Sequence, residues 1–389
     1  LRGVVNSRRA SPPTPGAMPV PWLYPAVSGT RDESGVPTVE ASTSHDLFMA
    51  QGFVHAQDRF WEMDFRRHVT SGRLSELFGE SQFGTDSFIR TLGWRKVAEA
   101  EVAALDDKTR AYYEAYAEGV NAYLHDKSPT EVSLEYGIVG LQNGGVEIEE
   151  WTPVDSVSWL KAMAWDLRSN VEDEIDRAIS TTGLDDEQMA DSYPDYPYDT
   201  RPTITGGNAG AKAPATSRKS GAGKPGGSTA GGGDAPRADS GEDEARAGGE
   251  VAGGNAPRTD AEVDGQTPGN LGELKQQLKS LPTLLGVNSH DIGSNSWVGS
   301  GEHTATGAPL LANDPHLSPS MPSVWHQIGL RCTEITPECP FDVSGFSFSG
   351  LPGVVIGHNQ NIAWGLTNLG PDVADLLVER IRDGEAVRD

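Results

Sequence analysis

The chain has 389 residues and carries 31 Lys and Arg against 56 Asp and Glu, a net charge of −25. Nucleic acids recruit proteins through clustered Lys and Arg, and no such cluster occurs, so a nucleic-acid partner is not expected. No run of about 18 apolar residues is present, which argues against a membrane span. Two cysteines, Cys332 and Cys339, exclude a disulfide-dense scaffold and a four-Cys zinc site. The start, Leu1-Arg2-Gly3, has neither an initiator Met nor an apolar core of a signal peptide, and the sequence reads as a fragment.

In chain order, Asp32-Glu33-Ser34-Gly35 reads as a turn and Val36 to Glu40 as a short strand. From His45 onward Leu47, Ala50, Val54, Trp61, Phe65 and Val69 recur near the helical period, and Ser71-Gly72 interrupts them. A second helix is expected from about Trp94 to Leu124, with Tyr113, Tyr116, Val120 and Leu124 on one face. A third has the clearest start, with Thr152 as N-cap, Pro153 at the first position and Asp155 completing an approximate capping box. Its apolar face carries it to about Ile179.

Between Gly206 and Asn270 there are 17 Gly and 13 Ala in 65 residues, without a single aromatic, Leu, Ile or Met. Such a stretch cannot bury enough apolar surface to offset the entropy of ordering it, and a disordered spacer is expected. Beyond it Leu271, Leu274, Leu278 and Leu281 predict one short helix ending before Pro282. After Gly293 the texture becomes β: Ser296–Ser300, Pro309–Ala312, Val324–Leu330, Phe341–Phe348, Val354–His358 and Ala363–Thr367 are short runs separated by Gly, Pro and Asn, with a hairpin turn at His358-Asn359-Gln360-Asn361. The chain thus reads as α+β, with two ordered regions, roughly Val20 to Asp199 and Leu271 to Asp389, on either side of the spacer.

Gly293-Ser294-Asn295-Ser296-Trp297-Val298 is the segment richest in chemistry. By itself it is an ordinary Gly-Ser-Asn turn into a strand. Were the Gly293–Ser294 bond cut, Ser294 would carry a hydroxyl and a free α-amine. An α-amine has a pKa of about 7.7–8.0, so nucleophile and base would sit on one residue.

Around this segment six features occur in order: Arg31-Asp32-Glu33-Ser34-Gly35-Val36-Pro37, Gln57-Asp58-Arg59-Phe60-Trp61-Glu62-Met63, Ser71-Gly72-Arg73-Leu74-Ser75-Glu76, Gly293-Ser294-Asn295-Ser296-Trp297-Val298, Asn313-Asp314-Pro315-His316, and Gly357-His358-Asn359 with Trp364-Gly365 and Asp375. Together they resemble the penicillin acylase family of N-terminal-nucleophile hydrolases. The resemblance implies a four-layer αββα sandwich and self-cleavage between Gly293 and Ser294. It also implies an N-terminal extension (1–30), a helical α-chain region (31–200), an excised spacer (201–293) and the sheet-forming start of a β chain (294–389), with α and β chains that stay together as a heterodimer, and hydrolysis of a small linear amide through an acyl-ester on Ser294. Under it His316 positions the α-amine and substrate, and the backbone N–H of Asn368 holds the oxyanion. Glu174, Asp372 and Asp375 then bind one structural calcium. A second oxyanion donor and an orienting Arg are implied beyond the position of Asp389, so these residues alone are expected to be inactive and poorly stable. Relatives are exported, which implies a periplasmic or secreted protein.

Other readings stay open. His316 is otherwise a surface residue of an Asn-Asp-Pro turn, and charge density alone makes Glu174 part of a solvated helix face. His45, His55 and His68 lack metal-ligand spacing and are expected at the surface or against a partner. Phe48, Phe60, Trp61 and Phe65 read as helix core. Cys332 and Cys339 either close a small disulfide loop or remain free thiols. Two rival functions remain: an acylase directed at acyl-homoserine lactones or lipopeptides, and a non-catalytic secreted homologue that never self-cleaves.

Overall fold

The computed structural model describes residues 16–17, 27–143, 145–168, 170–195, 197, 200, 267–280, 293–317, 319–370, 372–376, 380–382 and 385–387. Most of the expected spacer, 201–266 and 281–292, and most of the N-terminal extension lie outside these residues. The chain divides into two compact units, Leu1–Ile179 with Asn270–Asp389, and Ser180–Gly269.

The first unit is α+β. Its strands are β1 (Gly16–Ala17), β2 (Ser28–Arg31), β3 (Pro37–Ala41), β4 (Gly293–Gly299), β5 (Leu310–His316), β6 (Trp325–Cys332), β7 (Asp342–Phe348), β8 (Ile356–His358), β9 (Ala363–Trp364), β10 (Arg380–Arg382) and β11 (Glu385–Val387). Seven of them form one sheet in the order β1-β2-β3-β6-β7-β8-β9, while β4–β5 and β10–β11 are separate pairs. The β3–β6 pairing is parallel, Thr38 facing Gly329 and Ala41 facing Cys332. Polypeptide from before and after the expected spacer is therefore hydrogen-bonded into a single sheet. The Cys332–Cys339 question is answered by a disulfide, buried at the end of β6.

The first unit's helices are α1 (Ser44–Thr70), α2 (Leu74–Phe78), α3 (Phe83–Leu92), α4 (Trp94–Ala104), α5 (Asp107–Leu124), α6 (Pro129–Val132), α7 (Leu134–Asn143), α8 (Pro153–Asp166) and α9 (Val171–Ser180), which runs one residue past the boundary. In the second unit α10 (Asp186–Ser192) is described, and α11 (Thr267–Ser280) leads back into the first. Helix α1 begins where Thr43 Oγ1 accepts the Asp46 N–H (3.0 Å) and lays Leu47, Ala50 and Val54 on Val39, Ala41, Ile328 and Leu330 of the sheet. Its other side meets α5, burying Phe53, Phe60 and Met63 with Tyr116, Val120 and Tyr123. Arg59 leaves helical geometry (φ −144°, ψ 18°) and bends α1. From α11, Leu278 is buried with Trp165 and Ile175, and Lys275 pairs with Asp176.

Two expected helices are each split. The second becomes α4 and α5 because Leu105 is extended (ψ 142°) and Asp106 Oδ1 accepts the Lys108 and Thr109 N–H groups, a side-chain cap that starts a new helix. The third becomes α8 and α9 because Asn170 adopts a left-handed φ of 88°. Its expected start holds: Asp155 Oδ2 accepts both the Thr152 N–H (2.7 Å) and the Thr152 hydroxyl (2.8 Å). No helix among the described residues is long and apolar enough to cross a membrane.

Candidate active site

Ser294 is the second residue of β4, in an antiparallel pair with β5 whose register sets Gly293 against His316, Ser294 against Pro315 and Asn295 against Asp314. Pro315 has no N–H to give, so the ladder lacks a donor opposite Ser294, at the bond proposed for cleavage. Ser294 is half-buried. The fold thus brings His316 beside the Gly293–Ser294 segment, with its side chain about half exposed. Its Nε2 lies 3.1 Å from Asp314 Oδ2 and 3.3 Å from Asn295 Nδ2. Asn368 lies on the loop after β9, where its Oδ1 accepts the Gly370 N–H (3.0 Å). Between the two segments stands Asn313, bonded to both.

Glu174 comes together with Asp372 and Asp375, about 200 residues further along the chain: one carboxylate oxygen of each lies within 4.8 Å of the others. Asn170 Nδ2 donates to Glu174 Oε1 (2.8 Å) and Asp372 Oδ2 (3.0 Å), and Leu376 N–H donates to Glu174 Oε2 (3.2 Å). A calcium ion takes oxygens at about 2.3–2.6 Å, so its ligands lie up to roughly 5 Å apart, and this spacing fits one. Asn170 escaped the sequence reading; its signal was an Asn just ahead of an acidic helix start.

For the histidines the expectation is corrected. His45 is half exposed, but His55 and His68 are buried. Both lie on inner faces of α1; distant segments satisfy His55, while Asp64, one turn earlier on the same helix, serves His68, whose Nδ1 lies 2.8 Å from its backbone carbonyl. Ser347 Oγ donates to the His326 carbonyl (2.9 Å) and so accepts from His55 Nε2–H (3.0 Å). His55 Nδ1 then accepts from the Tyr116 hydroxyl (2.8 Å), whose oxygen takes the Gly350 N–H (2.9 Å). Next to it Asp58 receives Arg31 (2.7 and 3.0 Å) and His326 Nε2 (3.0 Å). Burial works against the Asp58 charge, yet the His326 and Arg31 contacts outweigh it and lower its pKa. A cavity of about 360 Å³ opens here, lined by Arg31, Gly35, Asp58, Arg59 and His326 among others.

The two buried histidines titrate in opposite senses. Burial, helped by His326 and Arg59, pushes the His55 pKa well below its usual 6.5. Burial also opposes charge on His68, but the hydrogen bond and charge of Asp64 outweigh it and raise that pKa. In the unfolded chain both titrate near ~6.5. Below that pH the unfolded state takes up a proton that folded His55 refuses, so stability falls as pH drops. Above it, folded His68 keeps a proton the unfolded chain has lost, and that contribution disappears as pH rises through the folded pKa. Denaturation midpoints measured between about pH 5 and 8 are expected to show His55→Gln flattening the acid limb and His68→Gln the alkaline limb.

The sequence model of the penicillin amidase family matches residues 26–388, and the chain belongs to that family of acylases. It is 31% identical to the acyl-homoserine lactone acylase QuiP of Pseudomonas aeruginosa, over 95% of this chain and 36% of that protein. It is 28% identical to penicillin acylase 2 proenzyme of Pseudomonas sp. strain SE83, over 97% of this chain and 41% of that one. The chain thus spans about two fifths or less of the length of these relatives. Thermostable penicillin G acylase from Alcaligenes faecalis aligns over 49% of this chain and 98% of its own, at 25% identity and a TM-score of 0.36.

Proposed function

We propose that this chain carries the nucleophile of an amide-hydrolysing acylase matured by self-cleavage. The position of Ser294 carries the proposal: a serine after glycine at the head of β4, opposite a proline and beside His316, in a chain matched by an acylase family. In maturation the Ser294 hydroxyl attacks the Gly293 carbonyl, and the amide becomes an ester. Water then hydrolyses it to the Gly293 carboxylate and the Ser294 α-amine. In turnover Ser294 Oγ attacks the substrate carbonyl while its own α-amine takes the proton through a bridging water. The backbone N–H of Asn368 holds the oxyanion and His316 orients the amine. The substrate amine leaves with the proton, and water releases the acid from the ester. The parallel β3–β6 pairing supports the association of the two products as a heterodimer. The whole is proposed as a four-layer αββα sandwich. The buried disulfide supports an exported, oxidising location, periplasmic or secreted.

An acyl-homoserine lactone is the favoured substrate class over a β-lactam side chain, since a relative at 31% identity is named for that activity. The test is hydrolysis by the full-length gene product of fatty-acyl, phenylacetyl and glutaryl amides, with Ser294→Ala as control. Turnover of the fatty-acyl amide alone supports this class. Turnover by Ser294→Ala at the wild-type rate contradicts the nucleophile, and a protein that neither self-cleaves nor turns over any of the three leaves the non-catalytic homologue.

Glu174, Asp372 and Asp375 are proposed to hold one structural calcium, which would supply charge neutralisation and a tie between α9 and the loop after β9. Calcium titration by calorimetry is expected to give one site and a raised melting temperature, both abolished in Asp372→Asn with Asp375→Asn. The absence of both binding heat and a thermal shift in the wild type would rule the ion out.

A further inference from the structure

The carboxamide of Asn313 makes three hydrogen bonds with two separate segments. Nδ2 donates to the Asn295 carbonyl (3.2 Å) and to the Leu366 carbonyl (2.9 Å), while Oδ1 accepts the Leu366 N–H (3.1 Å). The pair with Leu366 is the two-bond ring that a peptide group on a neighbouring strand would form, so one side chain stands in for a stretch of sheet. Gly365 leaves room for it. A Cβ there would lie 2.8 Å from Asn313 Cβ and Cγ and 2.9 Å from Oδ1, displacing the amide.

Asn295 directly follows Ser294, and Leu366 precedes Asn368 by two residues. The carboxamide is therefore a physical link between the backbone that bears the nucleophile and the backbone that bears the oxyanion donor. Only a carboxamide does this work, and Gln would carry it one methylene too far out: a carboxylate lacks the two donated bonds, and a hydroxyl cannot donate to two carbonyls and accept an N–H in one plane. We propose that Asn313, seated by Gly365, is a positioning residue that fixes the Asn368 N–H relative to Ser294 Oγ; this role rests on the function proposed above. It touches neither substrate nor reacting atoms. Its effect is on the transition state, where a misplacement of about 1 Å costs on the order of 10²-fold in rate.

The test uses the full-length gene product, with mature Ser294 counted by a covalent serine-directed inhibitor so that kcat is expressed per exposed nucleophile. Asn313→Asp preserves shape and the acceptor but removes both donated bonds. Gly365→Ala keeps the Asn313 carboxamide chemically intact but displaces it from behind. Each is expected to lower kcat by about 10–100-fold with KM within about twofold, and the double variant to be no worse than the poorer single one, because both break the same link. Variants that fail to expose Ser294 yet melt at the wild-type temperature also support the link, since self-cleavage needs the same geometry. Wild-type kcat per site in both variants overturns the proposal, as does a melting temperature lowered by more than about 10 °C in both, which marks a merely structural tie. A wild-type protein that never exposes Ser294 contradicts the proposed function instead, and is told apart because it fails before any variant is made.

Discussion

Gly119→Leu is expected to prevent the first unit from folding, and Gly119→Ala to destabilise it by more than about 4 kcal/mol, in the range reserved for severe packing faults. Helices α1 and α5 touch through their backbones at this point. A Cβ on Gly119 would lie 1.7 Å from the Met49 carbonyl oxygen, and one on Gly52 would lie 2.0 Å from the Tyr116 carbonyl oxygen. Neither neighbour is a flexible side-chain end that can swing away. To admit even a methyl group the helices must separate, which opens the contact that buries Phe53, Phe60, Met63, Tyr116 and Val120. Tyr116 would also be drawn from His55 and Gly350, loosening the link between α5, α1 and the turn after β7. Soluble yield and the thermal transition followed by circular dichroism measure the effect. A Gly119→Ala protein melting within about 2 °C of wild type would show that the helices do not meet this closely.

Asp64→Ala is expected to cost about 3–5 kcal/mol, the usual penalty for removing one partner from a buried charge pair. Asp64 is 1% exposed and accepts the Tyr136 hydroxyl (2.6 Å) and Arg67 Nε (2.9 Å), with His68 Nδ1 3.3 Å away. Burial alone would raise its pKa. The His68 hydrogen bond, the Arg67 and His68 charges and the Tyr136 hydrogen bond outweigh that and hold it to about 2. Removing the carboxylate strands Arg67, itself 2% exposed, with only the Glu149 and Glu150 carbonyls, and leaves the Tyr136 hydroxyl without its acceptor. Because the folded pKa lies below the unfolded value, this stabilisation is fully present above pH ~3.9 and is lost only as pH falls toward the folded pKa. Urea unfolding at pH 7 tests the magnitude. A midpoint unchanged by the substitution would mean that the network contributes nothing net.

What could be read from the sequence follows the range over which the chemistry acts. The capping box at Thr152 and Asp155 involves residues three apart, and local pattern alone predicted it. The strands near Ser294 are separated by Gly, Pro and Asn, which announce strands there without reference to the rest of the fold, although β4 begins at Gly293, three residues before the expected run, and β5 continues to His316, four residues beyond it. The breaks at Leu105 and Asn170 were hidden because the apolar period continues across both. There one extended residue and one left-handed residue end the helices, and an apolar pattern does not encode either. The burial of His55 was equally hidden, since Ser347 and Tyr116 reach it from far along the chain, and that of His68 because the Asp64 beside it is itself buried by Tyr136 from far along the chain. Glu174, Asp372 and Asp375 were assigned together only through family resemblance, as nothing local distinguishes them from other acidic residues. The Asn313 run was singled out for its histidine, while the link made by its first residue needed the positions of Asn295 and Leu366.

The most direct test of the central claim is the intact mass and N-terminal sequence of the purified full-length gene product, beside its Ser294→Ala variant. A chain beginning Ser294-Asn295-Ser296-Trp297 in the wild type, absent from the variant, is the expected result and would establish Ser294 as a self-exposed nucleophile before any substrate is known. A wild-type protein that is folded, soluble and uncut between Gly293 and Ser294 would contradict it, and would leave the family's fold in a protein without the proposed chemistry.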